Sequence, residues 1–193
     1  MNTITWKIDH DPTATRLDLS HYHLHYQSVV FDYITRLTNL TYINVSNTNL
    51  SSIPDVITRL PHLTILLVNN NRITTIPYQI SELVNLTQLD ISSNRIITIP
   101  ECLTELVSLK EIYLDRNPLI TFPWVLTRIP SLVTIDIDIQ LLVMVDDLRV
   151  VLRWGYLQCR LETVMEQWIN RRISHLERKR SCWVPQWLLQ MIE

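Results

Sequence analysis

The chain has 193 residues, a formal net charge of −2 and a single glycine, Gly155, where an average globular chain of this length carries about thirteen. Phosphate-cradling loops, the dinucleotide fingerprint and the nucleophile elbow all need glycine at fixed offsets, for close backbone approach or for φ > 0. The composition therefore excludes those motifs and disfavours most nucleotide-dependent enzymes. A near-neutral charge offers no global field for nucleic acid or an anionic membrane, while 52 leucine and isoleucine residues are enough for a sizeable core.

In chain order, the opening stretch is polar, with Lys7, Asp9 and Asp11, and lacks a basic segment followed by an apolar one. No apolar run approaches the roughly eighteen residues of a membrane span, the densest being Ile139 to Val145. These features predict a soluble, cytoplasmic chain, with the nucleus left open. Leu17 and Leu19 follow as a strand-like alternation, and then His21, His23 and His25. Three alternating imidazoles have metal-ligand character, but parity with Leu17 and Leu19 would bury them, and the repeat described next turns the chain at about residue 20. No metal site and no cofactor are expected.

Leu60, Leu63, Leu66, Val68, Asn71, Ile73, Ile76 and Pro77 recur 23 residues later as Leu83, Leu86, Leu89, Ile91, Asn94, Ile96, Ile99 and Pro100. The series extends back to Leu37, Leu40, Ile43, Val45, Thr48, Leu50, Ile53 and Pro54. It extends forward to Leu106, Leu109, Ile112, Leu114, Asn117, Leu119, Phe122 and Pro123. A partial fifth copy begins at Ile129, and Leu17, Leu19 and Leu24 mark a degenerate first one. The central alternation has the period of a short strand with one buried face, and no single copy could bury its apolar residues alone.

Asn71, Asn94 and Asn117 fall just after each strand, where an amide can satisfy backbone groups shut off from water. This predicts a buried asparagine ladder. Thr48 offers only a hydroxyl there, which points to a looser turn. Asparagine after each strand and proline at each return replace glycine as the turning residues. The stretches 34–37, 80–83, 103–106 and 126–129 close each return leg as a helical turn.

This pattern resembles the leucine-rich repeat family, in its 23-residue form, over about residues 15–140. The resemblance implies an α/β solenoid, a right-handed coil with short parallel strands on its concave face, followed by a helical C-terminal segment. It divides the chain into an N-terminal cap and degenerate repeat (1–36), repeats (37–140) and a helical cap or docking segment (141–193). It also implies a protein partner on the concave face and similarity to intracellular scaffold and regulatory members, by analogy. Neither a small-molecule substrate, nucleic acid nor a membrane is expected as partner.

On that reading the exposed positions include Tyr42, Asn44, Ile65, Leu67, Gln88, Asp90, Glu111, Tyr113, Asp115 and Asp136. Tyr42, Ile65 and Leu67 form an apolar centre. Asp90, Glu111, Asp115, Asp136 and Asp138 form an acidic sector suited to steering a basic partner. Solvated strand faces are polar by default, so the least ordinary of these residues is Leu67, exposed at mid-sheet. Asn39, Asn44, Asn49 and Asn85 lie in Asn-x-Ser/Thr triplets, read here as a by-product of the repeat's composition.

Residues 1–140 hold 9 basic and 13 acidic side chains, whereas 141–193 hold 8 and 6. Beyond 140 the 23-residue period stops and Leu141, Val145, Leu148 and Leu152 follow helical spacing. Trp154, Trp168, Trp183 and Trp187 give this tail more aromatic surface than a minimal cap requires. A two-part adaptor is the alternative reading, with the repeats selecting a target and the tail recruiting an effector such as a ubiquitin ligase or phosphatase. Cys102, Cys159 and Cys182 form no close-spaced pair, and the 53-residue tail is too short for a catalytic ligase domain, so no enzyme is expected.

Overall fold

The computed structural model describes residues 13–22 and 27–138; the expectations for residues 141–193, and for His23 and His25, lie outside them. The elements are β1 (Arg16–Asp18), α1 (Gln27–Ile34), β2 (Tyr42–Asn44), α2 (Asp55–Thr58), β3 (Ile65–Leu67), β4 (Gln88–Asp90), β5 (Glu111–Tyr113) and β6 (Thr134–Asp136). Short 3-10 helices over Tyr78–Glu82, Glu101–Glu105 and Trp124–Arg128 link the later strands. The six strands form one parallel sheet in sequence order. Paired residues are 23 apart from β2 onward, as in Ile43↔Leu66↔Leu89, and 26 apart between β1 and β2, as in Leu17↔Ile43. Parallel neighbours need a crossover of a dozen or more residues, and each coil supplies one through its turn and return leg. The described residues thus form a solenoid.

Only the middle residue of each strand is fully inside. Leu17, Ile43, Leu66, Leu89, Ile112 and Ile135 stack as one buried column, and Val45, Val68, Ile91, Leu114 and Ile137 form the next. Each such side chain contributes about 1.5–3 kcal/mol on burial, gained only when a neighbouring coil covers it. Pro54, Pro77, Pro100 and Pro123 immediately precede the helical turns. The turns at residues 78, 101 and 124 therefore begin two residues before the stretches singled out in the sequence; the turn at 55 was not among those stretches, and 34–37 meets only the end of α1. Proline has no N–H to lose and a φ already suited to a helix start.

The amides of the ladder positions are buried, Asn71, Asn94 and Asn117 being 8, 7 and 6% exposed. Asn94 Nδ2 donates to Val68 O and Ile91 O (both 3.0 Å) and to Ser92 O (3.1 Å), while its Oδ1 accepts the Ile73 N–H at 3.0 Å. Asn117 repeats this with Ile91 O, Leu114 O and the Ile96 N–H. Asn71 Nδ2 reaches Val45 O and Val68 O, and its Oδ1 takes the N–H groups of Thr48 and Leu50. Each amide therefore closes its own turn and satisfies the turn of the coil before it.

Two expectations need correction. The turn at Thr48 is not short of partners: its hydroxyl donates to Val45 O at 2.7 Å, the bond to the third carbonyl back that each asparagine makes in its own coil. What sets this turn apart is two left-handed residues, Asn47 (φ 60) and Asn49 (φ 61). Nor does the ladder asparagine itself replace glycine as the turning residue. The left-handed position is the one before it, occupied by Asn47, Asn70, Ser93 and Arg116 at φ 52–60. For L-residues this conformation costs roughly 1–2 kcal/mol, less for asparagine. It is held because Asn47, Asn70 and Ser93 donate their N–H groups to Asn69 O, Ser92 O and Asp115 O of the following coil, and Arg116 donates to Asp138 Oδ2.

Asn94→Ala is expected to lower unfolding free energy by about 1–3 kcal/mol through unmet buried backbone groups; a loss within error in urea denaturation would contradict the ladder's role. At the left-handed position, Ser93→Gly should raise stability by about 0.5–1 kcal/mol and Ser93→Val lower it by more than 1, read in the same assay.

Candidate functional site

Outside the buried column, each strand presents two residues on the solvent face of the sheet. Strand register aligns them as Arg16, Tyr42, Ile65, Gln88, Glu111 and Thr134, and as Asp18, Asn44, Leu67, Asp90, Tyr113 and Asp136. From β2 to β6 all ten are half-buried, Leu67 included. Leu67 is therefore less exposed than its sequence position implied, because the neighbouring strands' side chains flank it. Among the described residues the most exposed large apolar ones lie off this face: Tyr78 (72%), Ile120 (63%) and Val107 (60%).

The second column has a structural task that sequence reading missed. Asp18 Oδ1 accepts the Ser20 N–H at 2.9 Å, Asn44 Oδ1 the Ser46 N–H at 3.0 Å, and Asp90 Oδ1 the Ser92 N–H at 3.0 Å. Each is an Asx turn, a side chain capping the backbone two residues on. The available signal was the recurring Asp/Asn-x-Ser spacing. Burial is the largest single influence on Asp18 and raises its pKa. The Ser20 hydroxyl and amide, the Asn44 amide (3.3 Å) and the Arg16 charge together outweigh it, and hold the carboxyl below its ordinary value.

The remaining charged groups also have internal partners. Glu111 accepts the Tyr113 hydroxyl at 3.1 Å, Asp115 pairs with the Arg116 guanidinium at 3.2 Å, and Asp138 takes the Arg116 N–H at 2.9 Å. Arg16, also absent from the sequence-based set, lies over the Tyr42 ring at 3.7 Å, worth about 0.5–1 kcal/mol at an exposed site. The ten partner-face residues named from sequence are thus brought together, with Asp115 just beyond β5. The acidic ones among them are already hydrogen-bonded or ion-paired rather than bare.

Other chemistry is thin. Among the described residues no group of three or more His, Cys, Asp or Glu could hold a metal, and His21 sits exposed in the turn after β1. Cys102 is a free thiol whose pKa burial pushes up, opposite to what a nucleophile needs. A shallow groove of about 650 Å³ runs past Thr15, Thr41, Thr64 and Thr87. Three of these hydroxyls donate to the preceding coil's threonine carbonyl at 2.8–3.1 Å, so they serve to join coils. No helix among the described residues is long and apolar enough to cross a membrane.

Comparison with known proteins agrees with this architecture. Residues 61–119 match the family model described as leucine rich repeat, and residues 38–83 match one of two leucine rich repeat copies. A leucine-rich-repeat protein of Leptospira interrogans is 23% identical with a TM-score of 0.57, over 65% of this chain and 37% of its own. Internalin C2 of Listeria monocytogenes is 19% identical with the same TM-score, over 71% of this chain and 56% of its own. The chain thus spans well under two thirds of the length of either structure. No curated protein matches it. Residues 38–119 therefore carry leucine-rich repeats, which generally serve as protein-interaction modules, and the two solved structures share the fold of the chain.

Leu67→Asn would restore at β3 the cap seen at Asp18, Asn44 and Asp90, and its thermal midpoint is expected at or above that of the wild type. A drop of several degrees would show that Leu67 is held for packing.

Proposed function

We propose that the protein is a non-catalytic interaction module that binds another protein on the concave face of its repeats, centred on Ile65 and Leu67 and bordered by Tyr42, Asn44, Gln88, Asp90, Glu111, Tyr113, Asp115 and Asp136. The observation that carries this reading is Leu67. Three of its column neighbours use polar side chains to cap their turns, whereas Leu67 gives up that bond, about 0.5–1.5 kcal/mol, and presents apolar surface instead. A residue that breaks a local structural rule in this way is a mark of a functional position.

The acidic residues have internal partners, so their contribution is the field of a carboxylate-rich sector that draws in a basic surface at long range. Apolar contact at Ile65 and Leu67 supplies the lasting affinity.

The test is a displayed random-peptide library selected against the full chain. Binders are then measured on Leu67→Arg and on Tyr78→Arg, the latter on a surface outside the sheet face. Loss of tenfold or more in affinity on Leu67→Arg with none on Tyr78→Arg is expected. Binders indifferent to Leu67→Arg would remove the concave centre from consideration.

A further inference from the structure

The second column departs from its capping pattern at two places on alternate coils, Leu67 on β3 and Tyr113 on β5, with Asp90 of β4 directly paired between them. Parallel strands lie about 4.8 Å apart, so the two apolar side chains stand about 10 Å apart with a carboxylate midway. The Tyr113 hydroxyl donates to Glu111 at 3.1 Å, two residues back on the same strand and the same face of the sheet.

Resting on the concave-face reading above, we infer that the partner presents an amphipathic α-helix laid across the strands, with apolar side chains at i and i+7 seated on Leu67 and Tyr113 and a lysine or arginine at i+3 or i+4 facing Asp90. The pitch selects the helix. Its side chains on one face advance about 4.5–6 Å at i+3 and i+4 and about 10.5 Å at i+7, matching one and two strand spacings. An extended segment repeats on one face every 6.7 Å or so and would fall out of step by the second strand.

Charge selects the residue between the anchors. The two columns on β4 to β6 comprise Gln88, Asp90, Glu111, Tyr113, Thr134 and Asp136, three carboxylates and no cation. The Asp90 cap occupies its Oδ1 with the amide and hydroxyl of Ser92, while a carboxylate offers about four acceptor sites. A partner's ammonium or guanidinium can therefore bind without opening the turn. This partner belongs to the helix-in-groove class, read by anchors at helical spacing.

The probe is a set of capped 18-residue alanine and glutamine helices measured against the full chain by fluorescence anisotropy. One carries leucines at i and i+7 with lysine at i+3; a second has the same composition with the leucines at i and i+2; a third has glutamate in place of lysine. The first is expected to bind at least tenfold more tightly than either other, with Asp90→Lys inverting the lysine and glutamate preference and Tyr113→Ser weakening the first tenfold. Equal binding of the first two, or no binding by any, overturns the helical partner. If that happens while Leu67→Arg still abolishes the selected peptides, the concave site stands and only this inference falls.

Discussion

A buried carboxamide after each of β3, β4 and β5 organises the described repeats. Asn71, Asn94 and Asn117 sit where the backbone must turn inside an apolar stack, and an unpaired peptide group there would cost about 1–3 kcal/mol. Each amide gives its N–H bonds to carbonyls of two coils and accepts an N–H from the coil before. Because these bonds span one repeat, they set adjacent coils in a single register. That register lines up the buried leucine and isoleucine columns on one side and the two solvent-facing columns on the other. The layout of the solvent-facing columns is in this sense a by-product of how the turns are satisfied.

The same turns explain why polar residues on the face are ambiguous evidence for binding. Asp18, Asn44 and Asp90 are what a turn of this kind selects for itself, since an Asx side chain caps the N–H two residues on. A capped aspartate still carries charge, so it contributes to the field without being free to reorganise around a ligand. Leu67 and Tyr113 contribute nothing to turn capping. Within one column the polar positions Asp18, Asn44 and Asp90 chiefly serve the fold.

Much of the fold could be read from the 23-residue period because its positions are chemically narrow: leucine or isoleucine inside, asparagine at the turn, proline at the return. The left-handed position was less legible, since only Asn47 and Asn70 are the residue type that favours it, while Ser93 and Arg116 share no side-chain chemistry with them. A backbone bond to the next coil selects the conformation there, and backbone demands leave little mark on residue type when no glycine is used. The 26-residue first spacing was hidden by the degenerate first copy. On the face, alternation around the buried column indicated which residues point outward, but not that several were already committed to Ser20, Ser46, Ser92 or Arg116. Three of these are local bonds that the Asp/Asn-x-Ser spacing carried, whereas the Asp138 bond to the Arg116 N–H depends on a distance across coils.

The backbone N–H bonds of Asn47, Asn70, Ser93 and Arg116 all run one way. Asn47, Asn70 and Ser93 depend on a carbonyl from the coil that follows, and the ladder amide serving each turn comes from that later coil as well. A coil emerging from the ribosome therefore cannot complete its turn until the next has been made, so consolidation trails synthesis by one repeat. At Arg116 the dependence passes to the Asp138 side chain. An internal duplication that inserts one whole period keeps every donor matched to an acceptor, whereas one that ends partway through a coil strands the turn before it. Change in the number of repeats is thereby confined to whole coils.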